Sequence, residues 1–241
     1  MRGADHWTAL IISGIKWGMS TLYIVATPIG NLEDITARAL RILGEVNFIA
    51  CEDTRVTSRL LNRYSIKKSL IAYLARNAKK AGSELISRLK MGESCALVTD
   101  AGTPGISDPG SELVARVRLE APDISIVPIP GSSALTTFLS VAGIPSSEFI
   151  FLGFLPHKKG RQTLVREIAE SSRLVIFYES NHRIEKALKE LAEMAKERQI
   201  VVGREMTKIF EQFISGTPAE VLLKLQSQGK AKGEFVVAVL P

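Results

Sequence analysis

An apolar run that ends in a loop rich in glycine and proline stands near the middle of the sequence: Leu97-Val98-Thr99-Asp100-Ala101-Gly102-Thr103-Pro104-Gly105-Ile106-Ser107-Asp108-Pro109-Gly110. The apolar part is typical of a buried strand, and Asp100 marks its carboxyl end. The glycines allow tight bends and close approach of a ligand to the backbone, whereas the prolines restrict the chain. A loop that only connects two elements rarely needs so many special residues. We therefore interpret it as a ligand-binding loop in which Asp100 accepts a hydrogen bond from a hydroxyl or an amine.

Strand and helix patterns alternate on both sides of this loop. The predicted strands cover residues 22–26, 46–51, 69–73, 95–99, 125–128, 174–178, 200–203, 213–215 and 235–240. The predicted helices cover residues 35–43, 54–64, 83–91, 112–117, 184–195 and 221–225, with one more after Ser132. Asp108 is expected to cap the fourth helix with Pro109 in its first position, and Ser132 to cap the helix that follows it. The alternation predicts an α/β fold.

The amino-acid composition changes in residues 143–156, where glycine, proline and serine cluster. This cluster predicts a connection between two domains. We expect an N-terminal extension at residues 1–18, an α/β lobe at residues 19–132 and a second α/β lobe at residues 133–241. The first sheet is expected to be mainly parallel, and the second to be mixed because its strands lie closer together in sequence.

Composition narrows the possible partners. The chain has 241 residues, 46% of them hydrophobic and 23% charged, which is an ordinary globular balance that argues against disorder and coiled coil. Its formal net charge of +6 favours polyanionic partners, of which nucleic acid is the commonest. Cys51 and Cys95 lack metal-ligand spacing, so we expect buried thiols in a reducing cytoplasm and no metal site. No apolar run is long enough to span a bilayer, so we expect no membrane association.

Two further motifs follow predicted strands. Gly30, in Thr27-Pro28-Ile29-Gly30-Asn31-Leu32, allows close backbone approach after the first strand. Ser133, in Pro130-Gly131-Ser132-Ser133-Ala134, lies at a helix start, where free backbone N–H groups suit carboxylates or ribose oxygens. Ligands of open α/β sheets bind beyond the carboxyl ends of strands, so both motifs are candidate ligand loops. An ordinary strand–helix turn and a capped helix start are the alternatives.

Charged motifs supply candidate contacts to nucleic acid. In Cys51-Glu52-Asp53-Thr54-Arg55, Arg55 either reaches a phosphate or pairs with Glu52 or Asp53. The segment Phe154-Leu155-Pro156-His157-Lys158-Lys159-Gly160-Arg161 is basic and could hold RNA backbone, the alternative being a solvated loop. The candidate contacts in this segment are His157, Lys158, Lys159 and Arg161.

Polar clusters also follow two strands of the second half. They are Tyr178-Glu179-Ser180-Asn181-His182-Arg183 and Gly203-Arg204-Glu205-Met206-Thr207-Lys208. Two such clusters suggest a shared cleft, and we expect Gly233 and Glu234 to line it as well. Helix capping by Ser180 or Asn181 is the alternative.

Together these motifs resemble the tetrapyrrole methylase superfamily, the class III S-adenosylmethionine methyltransferases, and within it the branch that acts on small-subunit ribosomal RNA. The motifs most specific to this branch are residues 27–32 and Glu52-Asp53-Thr54-Arg55. The other matching motifs are residues 100–110, Pro130-Gly131-Ser132-Ser133-Ala134, Gly153-Phe154-Leu155-Pro156, Phe177-Tyr178-Glu179-Ser180, His182-Arg183, residues 204–208 and Lys232-Gly233-Glu234. The resemblance extends from Thr21 to about Leu240.

The resemblance implies a two-lobed tetrapyrrole-methylase-like fold, S-adenosylmethionine in the cleft between the lobes, and a homodimer. It also implies 2′-O-methylation of a cytidine in the decoding region of 16S rRNA, within the 30S subunit. The implied cofactor residues are Pro28, Asp100, Ala101, Gly102, Thr103, Ser133 and Ala134, joined from the second lobe by Tyr178, Arg204 and Gly233. Glu205 and Lys208 are the candidates for base or hydroxyl orientation, with Asp53 behind them.

The chain departs from the family at a His-x-His-Asn stretch that usually follows the third strand. This chain has Leu74-Ala75-Arg76-Asn77 in its place, so the asparagine is kept but both histidines are replaced. From this stretch, Asn77 is a candidate RNA contact. Two other functions stay open on the sequence alone: methylation of a tetrapyrrole, and RNA binding without catalysis.

Overall fold

The chain forms two compact α/β units. The computed structural model describes residues 20–145, 147–228 and 232–241, so the expected extension at residues 1–18 lies outside the described residues. The first unit combines residues 20–25 with Thr36–Asp100 and Asp108–Pro130, and the second combines Ala26–Ile35, Ala101–Ser107 and Gly131–Pro241. The division thus falls after Pro130, and two loops from the first half of the chain group with the second unit.

The first unit contains a five-stranded sheet in the order β3-β2-β4-β1-β5, in which every pair is parallel. Its strands are β1 (Thr21–Val25), β2 (Phe48–Cys51), β3 (Ser69–Ala72), β4 (Cys95–Leu97) and β5 (Ser125–Ile129). Strands β2 and β4 are buried at every residue, as expected for interior strands of a parallel sheet covered on both faces. The predicted parallel sheet is confirmed.

Four helices of the first unit accompany this sheet: α1 (Ala37–Glu45), α2 (Thr54–Arg63), α3 (Ala78–Lys90) and α4 (Gly110–Glu120). Helix α3 begins five residues before its predicted start, because Ala78 and Ala81 also face the core. Helix α4 begins after Pro109 instead of on it, although the Asp108 carboxylate still accepts a hydrogen bond from the Gly110 N–H at 2.7 Å. Cys51 and Cys95 are buried free thiols, as predicted, and burial raises the pKa of Cys95 to about 12.

The second unit contains a mixed five-stranded sheet in the order β6-β7-β10-β8-β9. Its strands are β6 (Phe149–Phe154), β7 (Leu174–Ser180), β8 (Ile200–Arg204), β9 (Gln212–Gly216) and β10 (Glu234–Val239). Only β6 and β7 run parallel, so the predicted mixed sheet is confirmed. The interpretation of residues 143–156 as a connection is wrong for its second half, because aromatic and β-branched residues from Phe149 onward form β6 despite the glycines and prolines around them.

Helices cover both faces of the second sheet. Helix α5 (Ala134–Val141) packs on one face around Phe138, while α6 (Arg161–Glu170), α7 (Ile184–Met194) and α8 (Pro218–Ser227) pack on the other. Helix α6 has no counterpart among the predicted helices. The predicted Ser132 cap is also wrong: α5 starts after Ser133 without a side-chain cap, and Ser132 Oγ instead donates to the Asp34 carbonyl at 3.3 Å. None of the described helices combines the length and apolar character needed to cross a membrane.

Candidate functional site

Three loops of the second unit are joined by hydrogen bonds. Thr27 and Gly102 form an isolated antiparallel bridge, with N–H to carbonyl distances of 2.9 and 3.0 Å in the two directions. The Thr103 hydroxyl donates to the Ser132 carbonyl at 3.1 Å. The loops at residues 26–35, 101–107 and 131–133, which the sequence singled out separately, are therefore one assembly.

Gly102 links two of these loops through a conformation that favours glycine. Its φ of +88° is in the region that favours glycine. A Cβ built on it would lie 3.4 Å from Ile29 Cγ2. Both its N–H and its carbonyl are used in the bridge to Thr27, so Gly102 shapes the loop while the neighbouring Ala101 remains exposed.

The start of α5 adjoins this loop assembly. Ser133 occupies the N-cap position with φ of −149° and makes no side-chain cap to the helix. Burial raises the pKa of Tyr178, and this shift is partly offset by hydrogen bonds to its hydroxyl from the Leu135 backbone and the Ser133 side chain. Tyr178 of β7 thus contacts the first turn of α5, next to the loop at residues 131–133.

The turn between β8 and β9 contains two residues with an unusual backbone conformation. Glu205 and Thr207 both have positive φ, at 49° and 65°, although neither is glycine. Backbone strain of this kind concentrates at functional sites because the surrounding structure must maintain it. The Thr207 hydroxyl accepts a hydrogen bond from the Asn31 N–H at 3.2 Å, which joins this turn to the first loop.

Two glycines let neighbouring segments approach the same turn. A Cβ on Gly30 would lie 2.5 Å from Lys208 Cγ and 2.7 Å from Thr207 Oγ1. A Cβ on Gly233, where φ is +103°, would lie 2.6 Å from Glu205 Oε1. Neither glycine can be replaced without moving Glu205 or Lys208, the two predicted catalytic candidates.

Glu205, Lys208 and Glu234 form a charged cluster at this turn. Lys208 Nζ lies 2.8 Å from Glu205 Oε1 and 2.9 Å from Glu234 Oε2, and the Glu234 N–H also donates to Glu205 Oε1 at 3.1 Å. Partial burial opposes ionisation of both groups, but their mutual hydrogen bonds outweigh it and lower the pKa of Glu205 while raising the pKa of Lys208. Glu205 is thus an available acceptor at neutral pH, whereas Lys208 remains protonated and can only donate.

Asp100 and Asp53 belong to the first unit. Asp100 Oδ1 accepts from the Asp53 N–H at 2.9 Å. Partial burial raises the pKa of Asp100, and the nearby Glu52 and Asp53 carboxylates contribute to the shift. The Asp53 carboxylate caps α2 and pairs with Arg55 at 2.6 Å, and this hydrogen bonding holds the pKa of Asp53 well below its usual range. The sequence left open whether Arg55 contacts a phosphate or pairs with a neighbouring carboxylate, and in the structure it pairs with Asp53.

The remaining cofactor candidates differ in their surroundings. Pro28 is buried, and Ala134 is the half-buried first residue of α5. Arg204 Nε donates to the Lys232 carbonyl at 2.8 Å, which engages part of the guanidinium in an internal contact beside Gly233. The structure brings Arg204 and Gly233 to the edge of the Glu205 turn.

The predicted RNA contacts separate into two groups. His157, Lys158 and Lys159 are exposed, as RNA contact requires. Arg161 is not retained as an RNA contact, because it is 3% exposed and is bonded to Glu179 and Glu190. Asn77 is half-buried, and its side chain accepts from the Leu74 N–H at 2.7 Å and donates to the Ala72 carbonyl at 3.0 Å, so it stabilises the start of α3.

Sequence reasoning singled out Gly30 for close backbone approach but not the Thr207–Lys208 segment that approaches it, and it assigned no role to Thr207. Both residues belong to motifs that the sequence singled out. The two motifs contact each other across a long stretch of chain, however: the hydrogen bond from Asn31 to Thr207 joins residues 176 positions apart. A positive φ at threonine has no local sequence signal, since this region is normally populated by glycine, asparagine or aspartate.

Most of the chain matches a known protein family. The family model described as Tetrapyrrole (Corrin/Porphyrin) Methylases matches residues 21–222. A Thermotoga maritima protein named Ribosomal RNA small subunit methyltransferase I is 44% identical over 221 residues, which are 92% of this chain and 98% of that protein. The chain belongs to the ribosomal RNA small subunit methyltransferase I branch of the tetrapyrrole methylases. The resemblance found in its motifs is thereby confirmed.

Solved structures confirm the predicted fold. A diphthine synthase superposes with a TM-score of 0.71 at 16% identity, covering 92% of this chain and 90% of that one. The uroporphyrin-III C-methyl transferase from Thermus thermophilus, complexed with S-adenyl homocysteine, gives a TM-score of 0.62 at 17% identity, covering 91% and 97%. At these identities the likeness concerns the fold.

Proposed function

We propose that this protein transfers a methyl group from S-adenosylmethionine to ribosomal RNA of the small subunit, at the 2′-hydroxyl of a cytidine in the decoding region of 16S rRNA. The observation that carries the proposal is the 44% identity, over nearly the whole length of both chains, to a protein named for that class of reaction. The net charge of +6 and the exposed Lys158 and Lys159 fit a polyanionic substrate.

The residues around the joined loops fit S-adenosylmethionine by their chemistry. The Asp100 carboxylate is an acceptor for hydroxyl or amine groups, and the backbone of residues 101–103 is shaped by Gly102 for close approach. The start of α5 offers backbone N–H groups and the hydroxyl of Ser133, which suit a carboxylate or ribose oxygens. We assign the cofactor to Pro28, Asp100, Ala101, Gly102, Thr103, Ser133 and Ala134, with Tyr178, Arg204 and Gly233 as further contacts.

When bound, S-adenosylmethionine supplies a methyl group activated by a positively charged sulfur. The protein must hold the ribose hydroxyl in line with that group, and alignment of reactants supplies much of the rate in such displacements. The hydroxyl must also lose its proton. We assign proton acceptance to the ionised Glu205 carboxylate, and orientation of the hydroxyl to the protonated Lys208. We assign Asp53 a structural role, because it caps α2 and pairs with Arg55.

The RNA is assigned to the exposed basic segment, in which His157, Lys158 and Lys159 contact phosphates. Arg55 is a secondary candidate for this role, because its side chain is 83% exposed even while it pairs with Asp53. Asn77 is not retained, because its side chain is engaged by the Leu74 N–H and the Ala72 carbonyl. We also propose a homodimer, since Ile209 and Phe210 at the β8–β9 turn expose apolar surface of the kind that oligomers cover. A 30S substrate places the reaction in the cytoplasm.

The test is transfer of labelled methyl groups from S-adenosylmethionine to 30S particles isolated from cells that lack this protein. Naked 16S rRNA, 30S particles from wild-type cells and reactions without RNA are the controls. We expect label in the unmodified particles, located by nuclease digestion at a 2′-O-methylated cytidine. Absence of label from every RNA would overturn the proposal, and label on a base would overturn its 2′-O part.

A further inference from the structure

Strand β6 carries an irregularity that changes where its last aromatic residue points. Phe151 pairs with Ile176 of β7, so regular pairing would place Gly153 opposite Tyr178. Instead Phe154 pairs with Tyr178, which means that one extra residue is accommodated at Gly153, where φ is +62°. A bulge of this kind re-aims the side chains that follow it and is common beside functional sites.

The bulge brings Phe154 to the sheet face that α5 covers. Its ring and that of Tyr178 form a T-shaped pair with a centroid distance of 5.5 Å and an interplanar angle of 64°, and Tyr178 forms a second such pair with Phe151 at 4.9 Å. Successive strand residues point to opposite faces, so Phe151 and Phe154 would lie on opposite faces without the extra residue. Tyr178 is also the residue that binds the first turn of α5. Phe154 therefore lies next to the predicted cofactor loops.

Phe154 remains 50% exposed in this position. The preceding residue is packed tightly against the loop at residues 101–107, since a Cβ on Gly153 would lie 2.7 Å from Ser107 Oγ. The following residue, Leu155, is buried. Phe154 is therefore fixed in position by the residues on both sides while 50% of the residue remains exposed, which suits contact with a flat ligand.

The basic segment after Phe154 is held by a buried ion-pair network. Arg183 Nη1 donates to the Leu155 carbonyl at 2.8 Å, and Arg161 Nη1 donates to the Pro156 carbonyl at 3.1 Å. Glu179 joins the two guanidinium groups, at 2.8 Å from Arg183 and 3.3 Å from Arg161. Lys158 and Lys159 therefore extend from a backbone that is fixed a few residues away from Phe154.

We propose that Phe154 is a stacking platform for a nucleobase of the substrate RNA, with Lys158 and Lys159 contacting the flanking phosphates. Exposed aromatic faces beside cations are how proteins hold unpaired bases of single-stranded RNA. The guanidinium of Arg183, 5.9 Å from the Phe154 ring centroid, adds positive charge at the same place. The inference rests on the proposed function, because it names a contact to the same substrate.

The test compares three substitutions of Phe154 in the methyl-transfer assay on 30S particles. Phe154→Ala and Phe154→Leu remove the aromatic face, and Leu keeps much of the apolar volume, whereas Phe154→Tyr keeps the ring. We expect Ala and Leu to raise the apparent KM for 30S particles by about 5- to 100-fold, the range of a lost base-stacking contact. Tyr should restore the wild-type KM, and the Kd for S-adenosylmethionine should stay unchanged in all three.

Phe149→Ala is the matched control, because Phe149 is on the same strand and is 37% exposed. It should leave the KM for 30S particles unchanged. Thermal unfolding of each variant identifies any loss of fold, and the Leu and Tyr variants still give a decision if Phe154→Ala fails to fold.

Three results would overturn the inference: an unchanged KM in Phe154→Leu, failure of Tyr to restore the KM, or a change of sedimentation coefficient, which would assign the ring to a contact between copies of the chain. These results differ from failure of the proposed function, in which the wild-type protein itself labels no RNA.

Discussion

Arg161 and Glu179 form an ion pair with an Nη1 to Oε2 distance of 3.3 Å, and their side chains are 3% and 0% exposed. Glu179 also pairs with Arg183 at 2.8 Å, and Arg161 with Glu190 at 2.8 Å. The two arginines hold the carbonyls of residues 155 and 156. One buried carboxylate thus connects β7, α6 and the start of the basic segment.

Glu179→Gln should destabilise the protein strongly. Removing the carboxylate takes away the ion-pair partner of Arg183 and leaves Arg161 with Glu190 alone, and breaking a buried pair typically costs about 3–5 kcal/mol. Urea unfolding monitored by circular dichroism measures the loss. Glu185→Gln is the control on neighbouring α7, where an exposed carboxylate accepts from Gln226 at 3.2 Å, and it should cost less than about 1 kcal/mol. Equal losses of unfolding free energy in the two variants would show that the buried network stabilises the protein no more than the control hydrogen bond does.

Glu205→Gln should lower kcat by about 10²- to 10⁴-fold, the usual contribution of a positioned general base. Affinity for S-adenosylmethionine, measured by calorimetry, should remain. The hydrogen bonds from the Lys208 ammonium and the Glu234 backbone N–H lower the pKa of Glu205, so the wild-type rate should persist to a lower pH than an ordinary glutamate would allow. Glu234→Gln removes the second carboxylate on Lys208 and should have the smaller effect. A larger kcat loss in Glu234→Gln would transfer the catalytic role to that residue.

Gly233→Ala should reduce kcat without removing any functional group. The added methyl would meet the Glu205 side chain, and the φ of +103° disfavours any residue with a Cβ. Displacement of about 1 Å at a reacting group can cost roughly 100-fold in rate. Gly92→Ala is the control, because Gly92 has a similar φ of +95° but no atom within 4 Å of the added Cβ. Rates that fall equally in both variants would point to backbone strain instead of displacement of Glu205.

Asp100→Asn should weaken cofactor binding while stabilising the free protein. Losing a charge-assisted hydrogen bond reduces affinity by about 10- to 100-fold, which calorimetry with S-adenosylmethionine would detect. Partial burial raises the pKa of Asp100, so its ionised form is disfavoured by folding. Its contribution to stability is therefore complete at low pH and is lost as the pH rises through the folded-state pKa.

The thermal unfolding midpoint of free Asp100→Asn should accordingly exceed that of the wild type at neutral pH. The difference should shrink as the pH falls below the pKa of Asp100, since the wild-type carboxyl is then also neutral. Asparagine keeps an oxygen for the Asp53 N–H, so this bond is preserved in the comparison. Unchanged cofactor affinity would contradict the assignment of Asp100 to the cofactor.

Local pattern was enough to predict most elements of this fold. The apolar run at residues 95–99, which contains β4, is an example, because a few neighbouring residues are enough to set the pattern that predicts a strand. Strand β6 and helix α6 escaped prediction. In β6, glycines and prolines flank the apolar residues, and α6 follows Gly160 at φ +79° without a side-chain cap.

The amino-acid sequence was sufficient to indicate the loops, their glycines and the family, since these depend on residue type in a short motif. It was not sufficient for the pairing of those loops. Thr27 lies 75 residues from Gly102, and Glu205 lies 29 residues from Glu234. The bulge that aims Phe154 depends on its register with β7. Only packing of the folded chain sets such contacts, because each is a choice among many partners that local propensity does not distinguish.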